Sequence, residues 1–505
     1  MGSPTLIIRA DANIAMGTGH VMRCLALGQA WQDAGGDAVF VMAESTPALD
    51  ERLASERIGV VKMNAAAGST RDSAQLAELA QARAANYVVV DGYQFDAEYQ
   101  RRLKDAGVKL LFIDDNGDAN HYYADLILNQ NAHAREDFFR SRESRTQLLL
   151  GPRHALLRRE FAPWRDWRRE VDPVARKVLV TMGGSDPDNV TLAVIHALRL
   201  VKIKDLEATV VVGGSNPHIQ SLEQAAAHFP GTIRLQRGAS NMPELLTWAD
   251  MAVSGAATTC WEMCLLGLPA ILIDLAENQR PVARDLDQRG MAIHLGTSAE
   301  VFPEEIAGKL EWLLLSHEIR TAMSRRAREL IDGKGARRVV AAMKSGNLHF
   351  RRAREKDCRR LWEWANDPVV RAASFSQSPI PWDEHRQWYA ARMKDSKCLI
   401  LIGENGDKSA IGQLRIDWRS DQEGEIDVSL APEVRGRGYG SHLIDAGVRQ
   451  VFATTGAERV HAFIRPDNQA SIRAFEQANF TRLGEEKVKG QLAIHYVRTR
   501  EKRQS

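Results

Sequence analysis

No stretch of this sequence approaches the roughly 20 consecutive apolar residues of a membrane span, and its start carries no signal-peptide apolar core. Cysteine is scarce: five in 505 residues (Cys24, Cys260, Cys264, Cys358, Cys398), with no CxxC pair and no histidine at zinc spacing. That argues against a disulfide scaffold or zinc module and for reduced, buried thiols in a cytoplasmic protein. Cys260 and Cys264 stand one helical turn apart, which reads as packing. An excess of one charge is missing too. The 67 Lys and Arg against 65 Asp and Glu leave +2, no field for nucleic acid or a membrane surface. Internal repeats and low-complexity tracts are also absent. What is present is an ordinary soluble composition, 44% hydrophobic and 26% charged. The length suggests about three domains of roughly 150 residues each.

From residue 5 to about 130, short apolar runs alternate with longer amphipathic stretches. Strands are expected at 6–10, 38–42, 87–91, 110–114 and 125–129, with helices such as 21–34 and 74–84 between them. Such alternation implies βαβ units and a parallel sheet covered on both faces. After the charged, tryptophan-bearing stretch 158–169, a second series of the same kind begins. Its strands read 177–181, 208–212, 233–235, 251–253, 270–273 and 292–295, and helix 335–344 closes it. Two doubly wound domains in tandem place a ligand cleft between the carboxyl ends of both sheets. Around 345–347 the pattern changes again, to a strand at 348–351, tryptophan-rich helices at 358–364 and 384–394, and antiparallel strands. These are 398–403, 412–418 and 424–430, with a hairpin-type Asn405-Gly406 turn after the first. The domain limits are 1–150, 151–345 and 346–505. The fold class is α/β, two Rossmann-like doubly wound domains followed by an α+β domain.

Two glycine-rich loops, each between a strand and a helix, aim backbone N–H groups and a positive helix end at an anion. The first is Gly17-Thr18-Gly19-His20-Val21-Met22-Arg23. Its glycines let the backbone approach a ligand, and a helix N-terminus favours a neutral imidazole at His20, the form a general base needs. Asp11, at the end of the first strand, is the candidate to orient it. The local pattern equally fits a plain nucleotide-binding turn whose histidine only hydrogen-bonds. Three further loops follow strands of the second domain: Gly183-Gly184-Ser185-Asp186, then Ser254-Gly255-Ala256-Ala257-Thr258-Thr259, then Glu277-Asn278-Gln279. Together they make a nucleotide pocket, and Glu262, on the helix after Thr259, offers a carboxylate for ribose hydroxyls. Asp186-Pro187-Asp188 has the outline of a metal-binding DxD but a different loop context, so no metal is expected there.

This assembly resembles the B-type nucleotide-sugar glycosyltransferases (GT-B), especially the N-acetylglucosaminyl transferase of peptidoglycan synthesis. There the matching glutamate holds the ribose and the loop glycines take the diphosphate. The N-terminal half narrows the resemblance. Arg9-Ala10-Asp11, the loop from Gly17 to Arg23, Val90-Asp91-Gly92-Tyr93, Ile113-Asp114-Asp115, Leu128-Asn129-Gln130-Asn131 and Ala155-Leu156-Leu157-Arg158-Arg159-Glu160-Phe161 carry it. These look like the UDP-2,4-diacetamido-2,4,6-trideoxy-β-L-altropyranose hydrolases of pseudaminic acid biosynthesis, over roughly residues 5–340. That resemblance implies a UDP-linked diacetamido sugar as substrate, water as acceptor, His20 as catalytic base and Asn278 on the sugar or diphosphate. His154 departs from the pattern, where an aromatic residue is expected.

The second loop is Arg435-Gly436-Arg437-Gly438-Tyr439-Gly440, between a strand ending at Leu430 and a helix at 441–452. A strand at 460–464 then leads into Asn468-Gln469-Ala470-Ser471-Ile472 and Phe475. These segments resemble the pyrophosphate loop and following helix of the GCN5-related N-acetyltransferases (GNAT), over about 348–500. The resemblance implies acetyl-CoA as co-substrate on the loop amides, with Asn468 contacting it and no metal required. Phe475 replaces the tyrosine often used as the acid. Tyr439, Tyr496 or water is left for that role, and Glu425 is a weak candidate for the base. The stretches 361–371 and 384–388, with His385, resemble acetyltransferases acting on amino-sugar nucleotides; read alone, their tryptophans are core. The combined expectation is a bifunctional enzyme that acetylates the 4-amine of a UDP-4-amino sugar and then hydrolyses the product. Three alternatives stay open: a UDP-sugar glycosyltransferase, a GNAT domain acting on another amine, and an acetyl-CoA sensor.

Overall fold

The computed structural model describes residues 3–500 except 14–16, 185, 215, 228, 230, 240, 346–347, 406–407 and 437–438. The chain separates into two compact units, Met1–Val339 and Val340–Ser505. Among the described residues no helix is long and apolar enough to cross a membrane.

The first unit holds two parallel sheets. The seven-stranded sheet runs Gly59–Lys62, Asp37–Met42, Thr5–Arg9, Tyr87–Asp91, Leu110–Ile113, Leu126–Asn129, Gln147–Leu150. Its central strands are buried along their whole length because helices cover both faces, and they read as unbroken apolar runs such as Val88-Val89-Val90. The edge strands Gly59–Lys62 and Gln147–Leu150 are short and half-exposed, and their apolar runs are only two and three residues long. The order reverses between Thr5–Arg9 and Tyr87–Asp91, strands adjacent in space but far apart in sequence. Ligands bind at such switch points, where consecutive loops diverge and leave a crevice.

The six-stranded second sheet runs Thr232–Arg237, Glu207–Val212, Lys177–Thr181, Met251–Gly255, Ala270–Asp274, Ala292–Thr297. Its switch point lies between Lys177–Thr181 and Met251–Gly255, so the loops after these two strands sit side by side. The helix Gly335–Ser345 starts against the first half: a Cβ on Gly335 would fall 2.1 Å from the Ala155 carbonyl oxygen.

The second unit carries a mixed seven-stranded sheet, ordered His349–Arg352, Cys398–Glu404, Ala410–Trp418, Glu423–Leu430, Arg459–Ile464, Gln491–Thr499, Thr481–Val488. Among the described residues the sole parallel pair of this sheet joins Glu423–Leu430 to Arg459–Ile464, through three rungs ending at Glu425 and His461. Beyond those rungs each strand keeps only its outer partner, and the sheet opens into a wedge. Helices Tyr439–Thr454 and Gln469–Gln477 pack on one face through Ile444, Val448, Ile472 and Phe475. The hairpin after Cys398–Glu404 is longer than a two-residue turn, with Asn405 N–H donating to Ser409 O; Gly406 lies outside the described residues.

Candidate functional site

His20 sits in the first turn of the helix Gly19–Asp33, behind Gly17, whose φ of +74° suits glycine. Its Nδ1 is 2.7 Å from Asp91 Oδ1. The orienting carboxylate is therefore Asp91 and not Asp11. Asp11 instead accepts the backbone N–H groups of Ala43 and Glu44 at 2.7 and 3.1 Å and pairs with Arg9. Both aspartates end strands that flank the switch point, and only the topology shows which one reaches the histidine.

Arg23, expected to meet substrate, is consumed within the protein. Its fork grips Asp91 through Nε and Nη2, both at 2.7 Å, and its Nη1 reaches Asp115 Oδ2 at 2.7 Å. Asn131 Nδ2 and Asn129 Nδ2 then donate to Asp115 Oδ1 and O. Burial alone drives the Asp91 carboxyl upward in pKa, but the Arg23 charge and the hydrogen bonds from Arg23 and His20 outweigh it, holding the group far below the usual carboxylate range. Asp91 thus stays ionised and fixed, able to accept the His20 Nδ1–H.

Tyr93 packs edge-on against His20, with ring centroids 5.0 Å apart, and is 51% exposed. Its hydroxyl accepts from Asn278 Nδ2 at 2.7 Å, a bond from the loop after Ala270–Asp274 of the second sheet. Beside His20 a cavity of about 340 Å³ is lined by Arg23, Asp91, Tyr93, Phe95, Asp114 and Tyr123, among others. Tyr93 was not singled out as a site residue; its signal was a tyrosine two places after a strand-ending aspartate.

The loop Gly183-Gly184 faces the first glycine loop directly: a Cβ on Gly184 would sit 3.3 Å from Thr18 Oγ1. Ser185 lies outside the described residues. Ser254 Oγ turns inward to Gly255 O at 2.9 Å, and Gly255 lies under Leu275. Thr258 and Thr259 are half-buried at the start of Thr259–Leu265. Glu262 is not the free carboxylate expected for ribose. Arg158 holds its Oε1 at 2.7 Å, and the residue is buried; burial pushes its pKa up despite that partner. Gln279 Oε1 accepts from Leu275 N within its own loop. Asp186 accepts from Val190 N, Thr191 N and Thr191 Oγ1, and Asp188 from Ser298 Oγ. His154, the departure noted above, is buried with Nδ1 3.0 Å from Leu150 O.

In the second unit Gly436 takes φ +71° and Gly440 packs 3.5 Å from Leu430 Cδ1, counted from an added Cβ. Arg437 and Gly438 lie outside the described residues. Arg435 does not reach outward. Its Nε and Nη2 donate to Leu430 O at 3.1 and 3.0 Å, and Nη1 reaches Asp367 at 2.6 Å, clamping the loop to the strand end. Asn468 is spent as the cap of Gln469–Gln477, accepting from Ser471 N at 3.1 Å. Tyr439 is buried against Ile411 and Leu443. Tyr496 donates to Glu476 at 2.8 Å in the core, and burial pushes its hydroxyl up to about 12. Glu425 pairs with Arg419 at 2.7 Å. His385 is interior, stacked on Tyr389 between Trp382 and Trp388, and burial pushes its pKa down.

Comparison with known proteins agrees with this division. Residues 178–339 match the model of the glycosyltransferase family 28 C-terminal domain, and residues 347–481 that of the acetyltransferase (GNAT) domain. The chain is 24% identical over 293 residues to the UDP-2,4-diacetamido-2,4,6-trideoxy-beta-L-altropyranose hydrolase of Campylobacter jejuni, covering 57% of this chain and 98% of that one. An uncharacterized protein of Methanocaldococcus jannaschii is 22% identical over 493 residues, covering 94% and 96%. The MurG structure of Acinetobacter baumannii aligns at TM-score 0.47 and 15% identity over 67% of this chain and 99% of that one. The first unit is thus homologous to that hydrolase and contains a match to the glycosyltransferase family 28 C-terminal domain, and the second unit contains a match to the acetyltransferase (GNAT) domain.

Proposed function

We propose that the first unit hydrolyses a UDP-linked 2,4-diacetamido-2,4,6-trideoxy sugar, of altro configuration by the relative's name, to UDP and free sugar. The observation that carries this is the Asp91–His20 pair at the mouth between two switch-point loops. With Nδ1–H donated to Asp91, His20 keeps Nε2 unprotonated. That nitrogen takes a proton from water as its oxygen attacks C1. The C1–O bond to UDP breaks, its electron pair leaves with the diphosphate, and the anomeric centre inverts. Amides of Thr18, Gly19, Gly183 and Gly184, with the helix end behind His20, would bear the diphosphate charge without a metal; the Gly17 amide is taken by Asn13 O. The cavity of about 340 Å³ beside His20 has room for a hexose.

The GNAT unit, in this reading, first transfers acetyl from acetyl-CoA to the 4-amine of the UDP-4-amino precursor. Pantetheine lies in the wedge between Glu423–Leu430 and Arg459–Ile464, with the pyrophosphate at Gly436–Gly440. The one unit makes what the other consumes, and both act on soluble nucleotide sugars in the cytoplasm. Mass spectrometry after incubation with the UDP-4-amino sugar, with and without acetyl-CoA, tests both steps. The expected record is a gain of one acetyl group, then UDP and free diacetamido sugar. The glycosyltransferase family 28 match favours one rival, transfer to a sugar or lipid acceptor. UDP release with no acceptor present counts against it.

A further inference from the structure

The GNAT residues expected to move protons are engaged elsewhere: Tyr496 with Glu476, Glu425 with Arg419, His385 within an aromatic stack. The face of the sheet opposite helices Tyr439–Thr454 and Gln469–Gln477 carries a different set. Val460, Ala462, Ile464, Ile494 and Tyr496 point into the core shared with those helices. By strand alternation His461, Phe463 and His495 point the other way. His461 Nδ1 is 2.9 Å from His495 Nε2, and His495 Nδ1 is 2.6 Å from Glu486 Oε1. Both histidines are 8% exposed, whereas the Glu486 side chain is 53% exposed. Phe463 stacks on His495 at 4.5 Å, and Arg419 covers the other ring face at 4.8 Å.

We infer that His461, His495 and Glu486 form the proton relay of the acetyltransferase, running from the apex of the wedge to solvent. This rests on the acetyltransferase reading of the second unit. With both rings neutral, one proton arrangement satisfies both contacts: His495 Nδ1–H donates to Glu486, and its Nε2 accepts from His461 Nδ1–H. That leaves the lone pair on His461 Nε2, a buried nitrogen with no hydrogen-bond partner among the described residues and with Glu423 Oε2 at 3.6 Å. His461 is in the last rung before the strands part. Back along the strand from Leu430 to Glu425 is five steps, about 17 Å at about 3.3 Å per residue. In this reading the pantetheine arm runs down the wedge from the loop after Leu430 toward that apex, which brings the thioester toward His461.

The step balances as follows. The acceptor ammonium gives a proton to His461 Nε2; the Nδ1–H passes to His495 Nε2, and the His495 Nδ1–H passes through Glu486 to water. The freed amine attacks the thioester carbonyl, forming C–N. Collapse breaks C–S, and the thiolate takes the second proton from nitrogen. The groups facing His461 are Glu423, Arg419, Arg459 and His495, with Glu425 directly across the same rung. Burial is the largest cause that pushes the His461 pKa down, which favours a neutral His461 able to accept a proton.

The test measures thiol release from acetyl-CoA between pH 6 and 10, with the UDP-4-amino sugar, kanamycin and spermidine offered separately to the full chain. For His461→Gln, kcat/KM at pH 7 is expected to fall about 10²-fold or more. That loss should shrink steadily as pH approaches the amine's own pKa, where free amine needs no base. KM for acetyl-CoA and UDP release by the first unit should be unchanged. Glu486→Gln, at the exposed end and no threat to folding, should show a smaller loss with the same pH trend. A loss equal at every pH, or no loss in either variant, overturns the relay. If the wild-type protein acetylates kanamycin or spermidine but not the sugar, the sugar reading fails and the relay is judged on that amine. Wild-type transfer to none of the three overturns both.

Discussion

Asp91 Oδ1 stands 2.7 Å from His20 Nδ1, a residue 71 positions away in the chain, at the switch point where strands Thr5–Arg9 and Tyr87–Asp91 lie side by side. Arg23, one helical turn after the histidine, grips the same carboxylate with two nitrogens. The histidine's orientation thus depends on a buried carboxylate that is itself over-determined.

Asp91→Asn should cut UDP release by about 10²-fold or more, because an amide can present the wrong hydrogen-bonding atom to His20. It also leaves the Arg23 charge partly uncompensated, and removing one member of a buried pair costs about 3–5 kcal/mol. His20→Asn should abolish turnover with a much smaller stability loss. Steady-state kinetics together with thermal melts separate the two. A tolerant Asp91→Asn would sink the assigned geometry.

Asp91 also sets an acid limb. Its folded pKa lies below the unfolded value of about 3.9, so its contribution to stability is complete above that value and is lost as pH falls toward the folded pKa. Urea melts from pH 7 to 2 should show wild-type stability falling below about pH 5. The slope should be visibly flatter in Asp91→Asn.

The Asn278–Tyr93 bond joins the two halves of the first unit at the histidine. Tyr93→Phe and Asn278→Ala should each raise KM for the UDP-sugar about 2- to 10-fold, the range of a single net hydrogen bond. The double variant should cost little more than the worse single one. Strict additivity would show that the two side chains act separately.

Two glycines give a graded test of the facing loops. A Cβ on Gly184 meets the rotatable Thr18 hydroxyl at 3.3 Å, whereas one on Gly213 would lie 2.1 Å from the Gly184 carbonyl oxygen. A hydroxyl can turn aside and a backbone carbonyl cannot. Gly213→Ala should therefore weaken UDP binding at least ten times more than Gly184→Ala, as calorimetric titration with UDP would measure.

Much of the fold was legible because central parallel strands must be apolar along their length. Runs such as 87–91 and 177–181 coincide with strands Tyr87–Asp91 and Lys177–Thr181. Edge strands Gly59–Lys62 and Gln147–Leu150 were not, since apolar runs as short as Val60-Val61 and Leu148-Leu149-Leu150 do not tell a strand from a loop or a helix stripe. The glycine loops and His20 were equally visible, because turn and helix-end chemistry is local. What sequence could not supply was partnership. Asp11 and Asp91 look alike on paper, and only the strand order brings Asp91 to the imidazole. Arg23, Arg435, Glu262 and Asn468 carry the right chemistry for ligands, yet each is committed to a partner distant in sequence or to a helix cap. The His461–His495 contact likewise depends on the register of two strands 34 residues apart.

The Arg158–Glu262 pair has a bearing on how such chains can be recombined. Arg158 belongs to the stretch linking the two sheets of the first unit, and Glu262 to the core of the second half. A chimera that takes 1–165 from one relative and the rest from another inherits one charge without its counterpart unless both parents agree at these positions. The two halves are separable on a topology diagram but are tied as a hereditary unit, and a productive crossover has to carry the pair together.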